Sequence, residues 1–240
     1  MNKLVVLEIK SSIGGINRSL FPVVICEDKE MVLVDAGYAG QFDLFKSAAI
    51  EKGIDLENLT KIVITHQDID HISGLAEMKR RFKNVQVMSS EIEADYISGK
   101  KKSLRLVWAE NNIDKMSDDQ KENLIRLKRM IEGVESTNVD VLLKDNEILS
   151  GCHGIRVIAT PGHMPGHISV YFEATKTMIT GDAVGIVDGK FVINPMFTLD
   201  KDQAKEYIKK MLTFDIKNIV CYHGGVFEGN CREALSAVLD

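Results

Sequence analysis

The chain reads Thr65-His66-Gln67-Asp68-Ile69-Asp70-His71 directly after a short β-branched run that predicts a buried strand. Two histidines and two aspartates therefore fall within six residues, where the chain leaves the sheet. In an extended loop, side chains two positions apart point the same way, so His66 and Asp68 can hold one metal ion. Asp70 and His71 follow after the chain turns and can reach a second ion. Imidazole and carboxylate ligands are typical of zinc, iron or manganese sites.

Three later segments place more ligand types in the same position, at the end of a predicted strand. They are Thr160-Pro161-Gly162-His163 after Ile155–Ala159, Thr180-Gly181-Asp182 after Met178–Thr180, and Tyr222-His223-Gly224-Gly225 after Asn218–Tyr222. The glycines allow tight turns and a close approach of the backbone to an ion. Burying so many ionisable side chains without a metal would cost several kcal/mol, so the four segments together predict a metal site.

In this order, the segments resemble the metallo-β-lactamase superfamily of metallohydrolases. The resemblance runs over nearly the whole chain and includes the early run Val32-Leu33-Val34-Asp35-Ala36-Gly37. It implies an α/β fold, a four-layer αββα sandwich of two mixed β-sheets, with the site at the edge that both sheets share. Short β-branched runs, the first of them Leu4–Ile9, alternate with helical patterns, which also favours packed sheets with helices outside.

The resemblance also implies a dinuclear centre with two divalent metal ions as cofactors. Its ligands would be divided between a first ion (His66, Asp68, His163), a second ion (Asp70, His71, His223) and a bridge (Asp182). Asp70 would in addition orient the attacking water or take its proton, and is the expected catalytic residue. Zinc is the expected metal, with iron and manganese as alternatives.

Asp68 departs from the common pattern of the family, which has histidine at this position. A carboxylate there resembles the flavodiiron branch, which uses glutamate to hold iron. Because a carboxylate is a harder ligand than imidazole, it favours iron or manganese more than an all-imidazole site would.

Two other residues are expected to have supporting roles. Asp35 ends a predicted strand before Gly37, and we expect it to fix the loop by hydrogen bonds. His167 lies four residues after His163, and we expect it to orient a ligand or to pack at the start of a strand.

The site predicts a metal-dependent hydrolase. Two dications would bring the pKa of a shared water toward neutrality, and the resulting metal-bound hydroxide would attack an acyl or phosphoryl centre. Lactonase-like members of the family share the bridging aspartate, the length and a helical insertion, which favours a small ester, thioester or lactone as substrate. Two alternatives stay open: an oxygen- or sulfur-linked diiron redox enzyme on the same fold, and a non-catalytic metal-binding domain.

The 240 residues, 45% of them hydrophobic, suffice for one compact core, and no proline-rich linker divides them. We therefore expect a single domain over residues 1–240. Between residues 91 and 135 the sequence is mostly polar and helical in its periodicity. Ser117 with Gln120 forms a capping-box pattern there, and Gly133 marks a helix end. This stretch is interpreted as a helical insertion that caps the site.

Composition restricts the partners. The 35 acidic residues outnumber the 30 basic ones, which argues against a nucleic-acid partner. No run approaches the roughly 18 apolar residues that span a membrane, and the first ten residues lack the core of a signal peptide. Four cysteines without paired short spacing predict reduced thiols and a cytoplasmic location. We expect a small-molecule substrate, and the sequence leaves the oligomeric state open.

Overall fold

Two β-sheets form the centre of the computed structural model, which describes residues 2–13, 16–27 and 29–239. The strands are β1 (Lys3–Val6), β2 (Ile9–Ile13), β3 (Ile16–Leu20), β4 (Val23–Glu27), β5 (Glu30–Val34), β6 (Lys61–Val63), β7 (Gln86–Ser90), β8 (Val141–Leu143), β9 (Ile155–Ala159), β10 (Ile168–Phe172), β11 (Thr177–Ile179), β12 (Gly185–Val187), β13 (Lys190–Val192), β14 (Asn218–Cys221) and β15 (Gly225–Val226).

The α-helices lie outside the sheets. They are α1 (Phe42–Glu51), α2 (Ile69–Ile72), α3 (Leu75–Arg81), α4 (Glu91–Ile97), α5 (Leu104–Asn112), α6 (Asp118–Glu132), α7 (Lys201–Met211) and α8 (Cys231–Ser236), with short 3-10 turns at Leu56–Asn58 and Ile113–Lys115. None of the helices in the described ranges is long and apolar enough to cross a membrane.

Both sheets are mixed, as predicted. The first has the strand order β1-β4-β5-β6-β7-β8, antiparallel from β1 to β5 and parallel from β5 to β8. The second has the order β15-β14-β11-β10-β9, in which β11 and β14 run parallel and the other neighbours antiparallel. The hairpins β2–β3 and β12–β13 lie beside them.

Successive side chains of a strand point to opposite faces of its sheet and so belong to different hydrophobic cores of the sandwich. In β5, Val32 and Val34 belong to the core between the two sheets, whereas Leu33 belongs to the core on the outer face of the first sheet. In β10, Phe172 points to the core between the sheets and Tyr171 to the outer face of the second sheet. This is the two-residue period of a strand that is buried on both faces.

Helices cover both outer faces. Phe45 of α1 and Met78 of α3 pack in the same cluster as Leu33 of the first sheet. Ile208 of α7 and Leu235 of α8 pack in the cluster that covers the second sheet. The four-layer αββα sandwich is therefore confirmed.

The segment between β7 and β8 contains α4, α5 and α6, so it is helical, as predicted. Helix α6 begins after Ser117, whose backbone N–H donates to Oε1 of Gln120 at 3.1 Å, and Gly133 caps its end. Leu124 and Ile131 form its buried face, and α5 packs against α6. The assignment of the whole chain to one domain stays a prediction.

The predicted strand Leu4–Ile9 is wrong as a single element. Strand β1 ends at Val6, opposite Val23, and a separate strand β2 begins at Ile9. The residue before Val23 is Pro22, which has no N–H to extend the ladder, so the pairing stops there. The β2–β3 hairpin is not evident from the sequence, because its strands are rich in polar residues rather than in alternating apolar ones. The β12–β13 hairpin does carry a signal, Asp188-Gly189 between two apolar runs, which the sequence interpretation missed.

Candidate metal centre

The predicted ligands lie at the shared edge of the two sheets. The sheets meet there, because the N–H of Ile168 in β10 donates to the carbonyl of Thr65 after β6, at 3.1 Å. His66 follows immediately, and Asp70 and His71 lie on the short helix α2. The remaining ligands come from the start of α2 and from the loops after β9, β11 and β14: Asp68, His163, Asp182 and His223.

The three side chains predicted to hold the first ion lie together. Oδ2 of Asp68 is 3.0 Å from Nε2 of His163 and 3.5 Å from Nε2 of His66. All three ligand atoms lie within 4.8 Å of one another, and both imidazoles are buried. One ion could contact all three side chains.

The second predicted set is also assembled. Oδ2 of Asp70 is 3.1 Å from Nε2 of His223 and 4.0 Å from Nε2 of His71. These ligand atoms again lie within 4.8 Å of one another.

Asp182 lies between the two sets. Its Oδ2 is 3.7 Å from Nε2 of His163 in the first set and 3.4 Å from Nε2 of His223 in the second. Its Oδ1 is 3.4 Å from Nε2 of His71. The position is the one that a bridging carboxylate needs, and bridging itself stays a prediction.

Unpaired buried atoms test whether these residues fit metal ions. Nε2 of His66, Nε2 of His71 and Oδ1 of Asp182 are buried without a hydrogen-bond partner among the described residues, and they share one space. An unsatisfied buried polar atom costs about 1–3 kcal/mol, so three together need an explanation. Divalent ions supply it, and four imidazoles with three carboxylates suit two such ions. The site therefore fits a dinuclear centre, and the identity of the metal stays a prediction.

The carboxylates of the site are ionised at neutral pH. Burial alone would raise the pKa of Asp68, but the neighbouring side chains of His163, His66 and Arg105 hold it well below its ordinary value. Burial likewise opposes the ionisation of Asp182, whose pKa is held well below its ordinary value by the nearby histidines. Ionised carboxylates are the form that binds metal.

Two histidines carry protons in the metal-free protein. Burial would lower the pKa of His71, but the charges of Asp35 and the site aspartates raise it well above its ordinary value. The pKa of His223 rises to about 10, since Asp182 and Asp70 outweigh burial. The positive charges of the two protonated histidines offset the negative charges of the site carboxylates. A metal ion must displace these protons when it binds.

Asp35 forms loop hydrogen bonds, as predicted, and it also contacts the predicted ligand His71. Its Oδ1 accepts hydrogen bonds from the backbone N–H of Thr65 at 2.9 Å and from the Thr65 hydroxyl at 3.0 Å. Its Oδ2 lies 2.9 Å from Nδ1 of His71. Histidine ligands commonly place their second nitrogen against a carboxylate in this way, which directs Nε2 toward the metal.

His167 has the predicted supporting role too. Its Nε2 accepts a hydrogen bond from the backbone N–H of Asp182 at 3.1 Å, and its Nδ1 lies 2.8 Å from the hydroxyl of Thr160. Burial, together with His66 and His163, holds the pKa of His167 well below its ordinary value, so the ring is neutral and can accept that bond. His167 thereby fixes the loop that carries Asp182.

Arg105 and Glu93 are part of the site region, and the sequence interpretation missed both. Arg105 on α5 forms a two-pronged ion pair with Asp68. Glu93 on α4 accepts hydrogen bonds from the backbone N–H groups of Gln67 (3.0 Å) and Gly166 (2.9 Å), and so holds the two ligand loops together. Ser90-x-x-Glu93 has the spacing of a capping box, but the Glu93 carboxylate faces the ligand loops instead.

A cavity of about 330 Å³ opens beside the ligands. Its floor contains Asp68, Asp70, His163, Asp182 and His223. The helical insertion forms one wall, with apolar and basic side chains, and other segments complete it: Arg105, Arg126, Leu127, Met130, Tyr38, Arg18 and Phe197. The insertion therefore contributes directly to the surface that a substrate would contact.

The fold and the ligand set define a metal-binding αββα protein, and comparison with known proteins agrees. The family profile of the metallo-beta-lactamase superfamily matches residues 21–223. The chain belongs to this superfamily.

Relatives in sequence include proteins named as hydrolases. The chain is 28% identical over 162 residues to a probable metallo-hydrolase of Streptococcus pyogenes, covering 67% of this chain and 60% of that protein. It is 25% identical over 214 residues to the probable metallo-hydrolase YflN of Bacillus subtilis, covering 82% and 76%. A hydroxyacylglutathione hydrolase of Bartonella henselae is 28% identical over 167 residues, which cover 67% of this chain and half of that protein.

Solved structures share the fold. A metallo-beta-lactamase family protein from Thermus thermophilus superposes with a TM-score of 0.72 at 16% identity, covering 98% of this chain and 78% of that one. An archaeal superfamily protein from Sulfolobus tokodaii gives a TM-score of 0.67 at 22% identity, covering 100% and 85%.

Proposed function

We propose that the protein is a metal-dependent hydrolase that acts on a small ester, thioester or lactone. The observation that carries the proposal is the arrangement of two ligand sets around Asp182, on the floor of an open cavity. Bound dications would supply an activated water at neutral pH and would polarise the substrate oxygen. The relatives named as metallo-hydrolases support the same reaction class.

Asp70 would orient the attacking water. Its carboxylate lines the cavity, and burial would raise its pKa, but the charge of His71 and a hydrogen bond with His223 lower it. The Asp70 carboxylate is therefore ionised at neutral pH and can accept a hydrogen bond from the water. Its backbone carbonyl accepts a hydrogen bond from the Tyr222 hydroxyl at 2.7 Å, which fixes α2 against the second sheet.

The charge of the cavity favours a substrate with an anionic group. With two dications (+4) and the three aspartates (−3), the ligand set would carry a net +1, to which Arg105 adds another positive charge. Arg18 and Arg126 also line the cavity, and neither forms an ion pair within the described part of the chain. Guanidinium groups without a partner suit a carboxylate or phosphate.

The test is turnover by metal-free protein reloaded with zinc, manganese or iron and offered aryl esters, thioesters, lactones and phosphodiesters. We expect metal-dependent hydrolysis of an acyl substrate, abolished by His66→Ala and by Asp182→Ala. His153→Ala, at an exposed position, is the control and should remain active. Full metal loading with no turnover on any substrate would favour the non-catalytic alternative.

A diiron redox enzyme is the second candidate, because Asp68 brings a third carboxylate into the ligand set. Protein purified without added metal would then hold tightly bound iron and consume oxygen or peroxide. A hydrolase, whichever metal it holds, should not consume oxygen or peroxide.

A further inference from the structure

The guanidinium of Arg105 contacts both carboxylate oxygens of Asp68. Its Nε lies 3.0 Å from Oδ1 and its Nη2 lies 2.8 Å from Oδ2. The same Nη2 is 3.2 Å from Nε2 of His163. The guanidinium therefore contacts two of the three side chains of the first ligand set, at the atoms that face the metal position.

The arginine is held in place by other contacts. Its Nη2 also donates to the backbone carbonyl of Phe197 at 2.6 Å, and the guanidinium lies over the Phe197 ring, 5.4 Å from its centre. The neighbouring residue Leu104 donates its backbone N–H to Oε1 of Gln67 at 2.9 Å, which anchors the start of α5 to the ligand loop. The Arg105 side chain is 13% exposed. It is thus a fixed part of the site.

The second ligand set has no such cation. Among the described residues, the ion pairs of Asp70 and Asp182 are with histidines, and none is with arginine or lysine. The two metal positions therefore differ in one permanent positive charge.

That difference has a physical consequence for metal binding. A guanidinium stays charged at all ordinary pH values, and it would repel a dication held by Asp68 and His163 at close range. It also uses one lone pair on each Asp68 oxygen, which weakens the carboxylate as a ligand. Asp68 with Arg105 sums to zero charge, as a neutral histidine would, but it is a weaker donor than imidazole or a free carboxylate.

We propose that Arg105 makes the two metal sites unequal. The site of His66, Asp68 and His163 binds its ion more weakly than the site of Asp70, His71 and His223, and Arg105 is the positioning residue that causes this. The inference rests on the metal centre of the proposed function, but it does not depend on which reaction, if any, the centre catalyses.

The test is a calorimetric titration of metal-free protein with zinc. The unaltered protein should bind one zinc tightly and a second at least about tenfold more weakly. Arg105→Ala removes the repulsion, so it should tighten the weaker step about tenfold or more and change the tight step little. Arg105→Lys keeps the positive charge and should keep the weak step. Arg129→Ala, which removes an arginine of α6 that does not line the cavity, is the control and should leave both steps unchanged.

Two equal steps in the unaltered protein would overturn the proposal. So would a weaker step that stays the same or weakens further in Arg105→Ala, which would make Arg105 an ordinary support of Asp68. Lys and Ala variants that tighten zinc equally would contradict the role of charge. Failure of the proposed function is separate: unequal zinc sites without hydrolysis would overturn only the function, and hydrolysis with equal sites would overturn only this inference.

Discussion

Nδ1 of His71 lies 2.9 Å from Oδ2 of Asp35, although Asp35 has a left-handed backbone conformation with φ of +66°. Residues other than glycine seldom adopt this backbone conformation, and the backbone strain costs about 1–3 kcal/mol. Three hydrogen bonds to the buried carboxylate compensate for it, two from Thr65 and one with His71. Strain is therefore tolerated where it directs a predicted metal ligand.

Asp35→Asn tests this relationship. The amide keeps the shape of the side chain but loses the charge that holds His71 in orientation, so we expect zinc affinity to fall about 10- to 100-fold. Equilibrium dialysis against zinc measures the change. Asp43→Asn, at an exposed position on α1, is the control. Unaltered zinc affinity in Asp35→Asn would contradict the supporting role.

Glu93 predicts a specific pH dependence of stability. Burial raises its pKa from 4.5 to about 7, against the hydrogen bonds from Gln67 and Gly166 that lower it. The folded protein thus retains a proton that the unfolded chain releases, so the contribution of Glu93 is fully present below pH 4.5 and is lost as pH rises to about 7. The loss is at most about 3 kcal/mol.

Urea unfolding of metal-free protein at a series of pH values measures this contribution. Glu93→Gln does not ionise, so its free energy of unfolding should fall less between pH 5 and 8 than that of the unaltered protein. Glu91→Gln, exposed on the same helix, should follow the unaltered protein. Parallel curves for Glu93→Gln and the unaltered protein would show that Glu93 does not titrate in this range.

Arg126 is expected to give the protein a preference for substrates that carry an anionic group. If the cavity accepts an anionic group, Arg126→Ala should raise KM about tenfold for an ester with a free carboxylate and little for its neutral methylated counterpart. Arg129 lies on the same helix but does not line the cavity, so Arg129→Ala is the matched control. Equal KM changes for the charged and neutral esters would argue against recognition of an anion by Arg126.

The backbone at Gly162, next to His163, leaves no room for a Cβ atom. Its φ is +136°, and a Cβ atom there would lie 2.5 Å from the backbone nitrogen of Ala204 in α7. Gly162→Ala should therefore lower the free energy of unfolding by about 2–4 kcal/mol and displace His163. Gly189→Ala, with φ of +73° and open space around it, isolates the conformational part and should cost only about 1 kcal/mol. Similar losses for both variants would contradict the close approach.

The strand-end motifs allowed a shared metal site to be predicted, because each ligand stands next to its strand in the sequence, whereas the αββα fold and the division of the ligands between two ions came from the resemblance to the metallo-β-lactamase superfamily. Arg105 could not be predicted in this way. Its contact with Asp68 joins residues 37 positions apart, and no local pattern marks it. Glu93 is hidden for the opposite reason, since its local spacing predicts a helix cap while the tertiary structure uses it elsewhere. The β2–β3 hairpin lacks the apolar alternation that reveals a strand.

Anomalous X-ray scattering from crystals grown at saturating zinc tests the central claim most directly. The account predicts two zinc peaks, one in contact with His66, Asp68 and His163 and the other with Asp70, His71 and His223, and both with Asp182. A single peak, or zinc bound away from these side chains, would contradict the dinuclear centre on which the proposed hydrolase rests.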